Sequence, residues 1–201
     1  MNKWDERYRS HDTVYGVKPN VFWASQLSLL PAGKLLLPCD GEGRNAVWAA
    51  EQGWDVSSFD MSETGVGKAR KLASSRGVSI EAVTANALEV HHEASFDVVG
   101  LIFAHMPPDV RSAFHARAWS WVKPGGRLIV EGFHVDQLGL DSGGPKVRDM
   151  LFDATTMHKD LELDHGQILW NARCDQVLDE GPFHQGSAVT SQWVIEKEKA
   201  T

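Results

Sequence analysis

The chain has 201 residues, 42% of them hydrophobic and 23% charged, with a formal charge of -7. That size and apolar content fit one globular domain with a three-layer core. The acidic balance argues against a phosphate-backbone binder, which needs a basic face, and no apolar run approaches the roughly 20 residues of a membrane span.

The N-terminus, Met1 to Arg7, mixes charges of both signs without an apolar centre. It does not read as a secretory signal, and the expected location is cytoplasmic. Cys39 and Cys174 fit no metal-ligand spacing and the nine histidines fall in no HExxH-type pattern, so no metal is expected. Trp4-Asp5-Glu6-Arg7-Tyr8 and Tyr15-Gly16-Val17-Lys18-Pro19-Asn20 are rich in aromatics for a segment ahead of a first strand. They are expected to cover the core edge, to fold over a pocket as a lid, or both. Asn20 is a cap for a helix over 21–30 that Pro31 ends.

Leu35, Leu36 and Leu37 then form a short strand that breaks at Pro38. Gly41-Glu42-Gly43 follows, and Ala46, Val47, Ala49 and Ala50 carry a helical period. A second strand over 54–59 ends on Asp60, about 20 residues beyond the first glycine, the spacing of acids in nucleotide-binding folds. Glycines let the backbone bend and come close to a ligand, and N–H groups at the head of the next helix lack internal partners. A carboxylate at the tip of the neighbouring strand suits the two hydroxyls of a ribose. An adenosine-containing cofactor is the resulting expectation. Its kind stays open, because Gly41, Gly43 and Ala46 also satisfy the dinucleotide form GxGxxA, and plain helix–strand packing would use the same glycines.

Ser62 caps a helix to about Arg76, closed at Gly77; Lys68, Arg70, Lys71 and Arg76 on it read as a solvated face. A third strand over 78–83 leads to Asn86 and Ala87, placed for an adenine or for a simple turn. The unbroken apolar run 96–104 is the pattern of a central strand covered on both faces. His105-Met106-Pro107-Pro108 opens a helix to about Val122, and Lys123-Pro124-Gly125-Gly126 makes a tight reversal into a strand over 127–133. Residues 135–163 read as an insertion over the site, with short helices at 147–152 and 156–161. Segments 168–178 and 188–196, joined by a Gly/Pro connector, read as an antiparallel hairpin. The expected architecture is α/β: a single doubly wound seven-stranded sheet, mostly parallel, in one domain over 1–201 with a lid and helix at 1–31. Asp40, Asp60, Asn86, His105, Glu131 and His134 would converge at its carboxyl edge.

The sheet pattern, the KPGG turn and the terminal hairpin resemble the class I S-adenosylmethionine-dependent methyltransferases rather than dehydrogenases. Within that class the chain is similar to the tellurite-resistance-type, thiopurine-methyltransferase-like branch through WDERY, YGVKPN, GEGRNA, VSSFDMS, KPGG with IVEGF, GGPK and LDEGPFHQG. The resemblance implies S-adenosylmethionine as cofactor and a small-molecule acceptor, a soft nucleophile such as a thiol, selenium or tellurium species among the options. It implies that Gly41 and Gly43 cradle the methionine part, Asp60 holds the ribose, Asn86 and Ala87 lie beside the adenine, and Met61 borders the ring. Asn45 and His105 complete that set.

One departure stands out: Leu37 occupies the family's acidic position and Pro38-Cys39-Asp40 replaces its glycine-bearing turn. The acid for the cofactor's amino group is therefore missing or replaced by Asp40 or Glu42. A non-catalytic adenosyl-ligand-binding protein is the alternative this departure leaves, and an NAD-dependent oxidoreductase rests on GEGRNA alone. Methyl transfer needs positioning above all. A soft anion needs no base, whereas an oxygen or amine acceptor does, and His105, His184 or His134 could supply it, the first two being the catalytic candidates. Acceptor contacts are expected from Trp4, Tyr8, Tyr15, His134, Lys146, Arg148 and His184. No nucleic acid or membrane partner is expected.

Overall fold

Alternation along one strand organises the core. In the computed structural model, which describes residues 2–161 and 166–199, β4 (Phe96–Ile102) sends Val98 and Ile102 to one face of the sheet and Val99 and Leu101 to the other. The first face is covered by α2 (Val21–Leu27) and α3 (Arg44–Glu51) through Phe22, Trp23, Leu27, Ala46 and Ala49. The second is covered by α5 (Pro108–Trp121) and α6 (Ala154–Leu161) through Phe114, Ala118, Met157 and Leu161. Gly100 is needed between them because a Cβ there would lie 2.6 Å from the Trp23 ring and 2.8 Å from Leu37. Leu37 is thus a core residue, buried to 1% exposure.

The seven strands run in the order β3-β2-β1-β4-β5-β7-β6. β1 (Lys34–Pro38), β2 (Asp55–Asp60), β3 (Glu81–Thr84), β4 and β5 (Val122–Phe133) pair in parallel. β7 (Gln185–Lys197) runs antiparallel between β5 and β6 (Gly166–Asp179). The expected α/β sheet with its terminal hairpin is therefore present. The chain order reverses between β1 and β4, which puts a ligand crevice outside their carboxyl ends. No helix among the described residues is long and apolar enough to cross a membrane.

Several boundaries differ from the sequence expectation for local reasons. α2 stops at Leu27, and the chain tightens through Leu29 and Leu30 N–H bonds to Gln26 and Leu27 before Pro31. β4 stops at Ile102 because Phe103 adopts φ 53. Lys123 to Gly126 is a bulge rather than a reversal: Val122 pairs with Phe96, the four residues loop out, and Arg127 pairs with Val98. The helix expected over 147–152 is one turn at Arg148–Met150. Leu163, the expected end of the insertion, lies outside the described residues.

The N-terminal lid is a helix, α1 (Lys3–Arg9), which the sequence reading did not assign. It docks on α4 (Glu63–Ser75) at the helix start, where Asp5 accepts from the Ser62 hydroxyl at 2.6 Å and from Thr64 N–H at 3.2 Å. The basic face assigned to α4 is a correction. Lys68 turns inward and donates to the carbonyls of Tyr8 and His11 and to Glu42, while Arg70 donates to the Ala82 carbonyl.

Candidate functional site

The glycine turn and Asp60 are joined directly. Gly41 N–H donates to Asp60 Oδ2 at 3.0 Å, and Ser62 N–H donates to Oδ1 at 2.8 Å. The carboxylate tip of β2 therefore faces the bend instead of turning from it. Burial pushes the Asp60 pKa up to about 6, against the pull of those two N–H groups. Gly41 and Gly43 both sit at positive φ, 58° and 81°. A Cβ on Gly43 would lie 2.5 Å from that of Ala69, so the turn also packs against α4.

The space beside Gly41 is held by the lid. A Cβ at Gly41 would fall 2.2 Å from the Tyr8 hydroxyl oxygen, and burial followed by the Asp60 charge pushes the Tyr8 phenol well up. Tyr8 stands in the crevice in this closed arrangement. Trp4 stacks on it at 5.9 Å and Tyr15 meets it edge-on at 6.4 Å.

The two acids offered as replacements for the missing family residue separate cleanly. Glu42 accepts from Val14 N–H at 2.7 Å with Oε2 and from Lys68 at 2.8 Å with Oε1, so it clasps the N-terminal segment and is not available to a cofactor. Asp40 accepts from Ala46 N–H at 3.3 Å through Oδ2, while its buried Oδ1 has no partner among the described residues. Burial pushes the Asp40 pKa up to about 7, with Asp60 adding to this and Ala46 N–H, Arg44 and Asn45 opposing it. A buried orphan carboxylate oxygen beside a glycine turn fits an arriving ammonium group.

Asn45 is turned to the lid's exit, accepting from Asn20 N–H at 2.9 Å. Met61 is half-exposed at the rim. Asn86 is an exposed turn residue that accepts from Leu88 N–H and donates to Glu89, beside buried Ala87. The sheet thus brings Asp40, Gly41, Gly43 and Asp60 together, and leaves Asn86 to its own turn.

His105 is corrected by its contacts. Its Nδ1 lies 2.9 Å from the Met150 carbonyl, which only accepts, and its Nε2 accepts from Phe133 N–H at 2.9 Å. Both nitrogens are used, and burial pushes the pKa down to about 4. His105 is a neutral tie between β4's end and residues 133–150, not a base. His134 likewise caps its own turn, accepting from Asp136 N–H at 3.1 Å. Lys146 donates to the Leu140 carbonyl at 2.6 Å, and Arg148 is exposed on the turn 148–150, so neither is presented to the crevice.

His184 differs. Its Nδ1 lies 3.2 Å from Glu180 Oε2, and Tyr15, Phe103 and Phe133 surround the ring with centroids at 4.5, 4.5 and 5.2 Å. Glu180, which the sequence reading passed over, also accepts from Arg44 at 2.9 Å and from Asn20 Nδ2 at 3.1 Å. Arg44 is the residue directly after the glycine turn, so this group borders that turn. Its signal lay in DEGPFHQG, where an acid and a histidine stand four residues apart.

Residues 37–126 match the family model of the methyltransferase domain. A search among curated proteins finds no match to the sequence. Among solved structures, one described as the conversion of a disulfide bond into a thioacetal group during echinomycin biosynthesis aligns with TM-score 0.78 at 16% identity, covering 98% of this chain and 91% of that one. TehB from Haemophilus influenzae aligns with TM-score 0.74 at 13% identity over 98% of this chain and 68% of its own. Magnesium protoporphyrin IX methyltransferase from Synechocystis PCC 6803, with bound SAH, aligns with TM-score 0.68 at 17% identity over 88% and 81%. Residues 37–126 thus match a methyltransferase domain, and the chain shares its fold with these structures.

Proposed function

We propose that the protein binds S-adenosylmethionine in the crevice between Gly41, Asp40 and Asp60 and transfers its methyl group to a small, soft nucleophile. The observation that carries this reading is the pairing of buried Asp60 with half-buried Asp40, two acids with opposite needs. Asp60 is oriented by two N–H groups with lone pairs left for ribose hydroxyls, and Asp40 keeps one buried oxygen that lacks a donor. The cofactor, when bound, supplies an electrophilic methyl on a sulfonium. The chain's own contribution is to hold its two polar ends and exclude water. Tyr8 gives up its place over Gly41 as the amino acid end arrives.

This resembles the tellurite-resistance-type branch in motif order, which favours a soft acceptor. Structural neighbours act on small molecules by their descriptions, one being a 1,6-didemethyltoxoflavin-N1-methyltransferase from Burkholderia thailandensis.

Calorimetric titration with S-adenosylhomocysteine tests the reading through its pH dependence. Both acids have folded-state pKa values above the ordinary 3.8, so the free protein holds extra protons between about pH 4 and 7 and loses stability as pH rises there. A ligand ammonium favours ionised Asp40. Affinity is therefore expected to fall as pH drops from about 8 to about 6, approaching tenfold per unit. No heat of binding, or heat with NADH instead, would overturn it.

A further inference from the structure

The two edges of the sheet are finished differently. β3, at one edge, has four residues, and its Ala82 carbonyl accepts from Arg70 at 2.6 Å. β6, at the other, has 14 residues and β7 as its one strand neighbour. An antiparallel strand turns the N–H and C=O of alternate residues away from its partner. Among the described residues no side chain bonds to the backbone of β6. Proteins blunt such an edge with lysine, proline, bulges or a short length. β6 has neither lysine nor proline, is bulged near its start between Ile168 and Trp170, and leaves Trp170 48% and Val177 77% exposed.

The charges on this strand say what covers it. Cys174 and Gln176 turn to the face of Gln192 and Glu131, so Arg173 and Asp175 stand together on the other face. Arg173 donates to Asp175 at 2.6 Å through Nη1 and to Asp136 at 2.7 Å through Nε, while its Nη2 has no partner among the described residues. A second copy would meet this edge about a two-fold axis. An axis normal to the sheet keeps each face, so every residue opposes one of equal parity and the axis passes through a residue. Through Arg173 or Asp175 it would set like charges against each other, which is unfavourable. Through Ala172 or Gln176 it would leave Asp175 facing an apolar side chain, Leu169 or Val177. Through Cys174 it sets Arg173 opposite Asp175 twice over, with Trp170 opposite Leu178 and Asn171 opposite Val177.

We infer that β6 pairs antiparallel with β6 of a second copy of this chain about a two-fold axis at Cys174, joining two seven-stranded sheets into one. The pairing gives the outward N–H and C=O groups of 170–178 partners and covers the exposed apolar side chains beside them. It does not depend on the methyl-transfer reading.

Sedimentation of the full chain at micromolar concentration should give twice the 22.2 kDa mass of one chain. Asp175→Arg, which sets arginines against arginines on both sides of the axis, is expected to weaken the dimer by about tenfold or more. Adding Arg173→Asp to Asp175→Arg exchanges the two charges and should restore it. Diamide oxidation of the unmodified protein should give a disulfide-linked dimer that Cys174→Ser abolishes, because opposite residues of an antiparallel pair lie about 4.5–5.5 Å apart at Cα, within disulfide reach. That arm needs no charge variant to fold. A monomeric chain would leave this edge to a strand of some other protein and overturn the inference. So would a dimer indifferent to Asp175→Arg, a double variant no tighter than Asp175→Arg alone, a dimer that forms no disulfide, or a disulfide that survives Cys174→Ser.

Discussion

Asp60→Ala is expected to weaken S-adenosylhomocysteine binding by at least about 100-fold. Hydrogen bonds to an ionised carboxylate contribute about 1.5–3 kcal/mol each, and a ribose offers two hydroxyls, so the loss reaches two powers of ten or more. The same substitution also strands Gly41 and Ser62 N–H groups that now donate at 3.0 and 2.8 Å. Asp60→Asn separates the two effects. It keeps an acceptor oxygen for one of the two N–H groups while removing the charge, and should fall between the parent and Asp60→Ala in both affinity and thermal stability. Calorimetry and thermal unfolding on the same samples check both arms. An Asp60→Ala protein that binds like the parent would show that the carboxylate serves the fold alone.

A second large effect is expected away from the cofactor. Glu131, 1% exposed on β5, accepts from four side chains. Gln176, Thr190 and Gln192 donate to Oε1 at 2.9, 3.0 and 2.8 Å, and Asn20 donates to Oε2 at 2.6 Å. This joins β5, β6 and β7 to the cap of α2, since Asn20 Oδ1 also accepts from Trp23 N–H at 2.8 Å. Glu131→Ala leaves a cavity and takes an acceptor from four donors, of which Asn20 and Gln176 keep a second partner, a loss of about 3–5 kcal/mol. For a domain of this length that lowers the unfolding temperature by roughly 10 °C. Asn20→Ala, losing one cap and the bonds to Glu131 and Glu180, is expected to cost about 1–2 kcal/mol. Urea unfolding orders the two variants, and an unchanged midpoint for Glu131→Ala would refute the network's role.

The sheet was legible because its signals are local. The apolar run 96–102 has no alternation, the glycines at 41 and 43 mark a turn ahead of a helical period, and Asp60 ends its strand. α1 was not legible, because seven residues with two aromatics carry no period to read. Its order comes from Asn2 at its start, Ser62 and Thr64 on α4, and the Lys68 clasp. His105 was placed correctly at a strand end, but its role depends on Met150 and on Phe133, 45 and 28 residues away. The choice between Asp40 and Glu42 likewise turned on Val14 and Lys68, whose approach no spacing rule reveals. Leu37, puzzling as the replacement of a family acid, is explained once Gly100 and Trp23 are seen to pack against each other there.

The most direct measurement is a crystal structure of the protein grown with saturating S-adenosylhomocysteine. The ribose should lie on Asp60, the amino group on Asp40 Oδ1, and the Tyr8 hydroxyl should have left Gly41. Density for the ligand elsewhere, or Tyr8 still seated on Gly41 with the crevice free of ligand, would contradict the assignment of this crevice as the cofactor site.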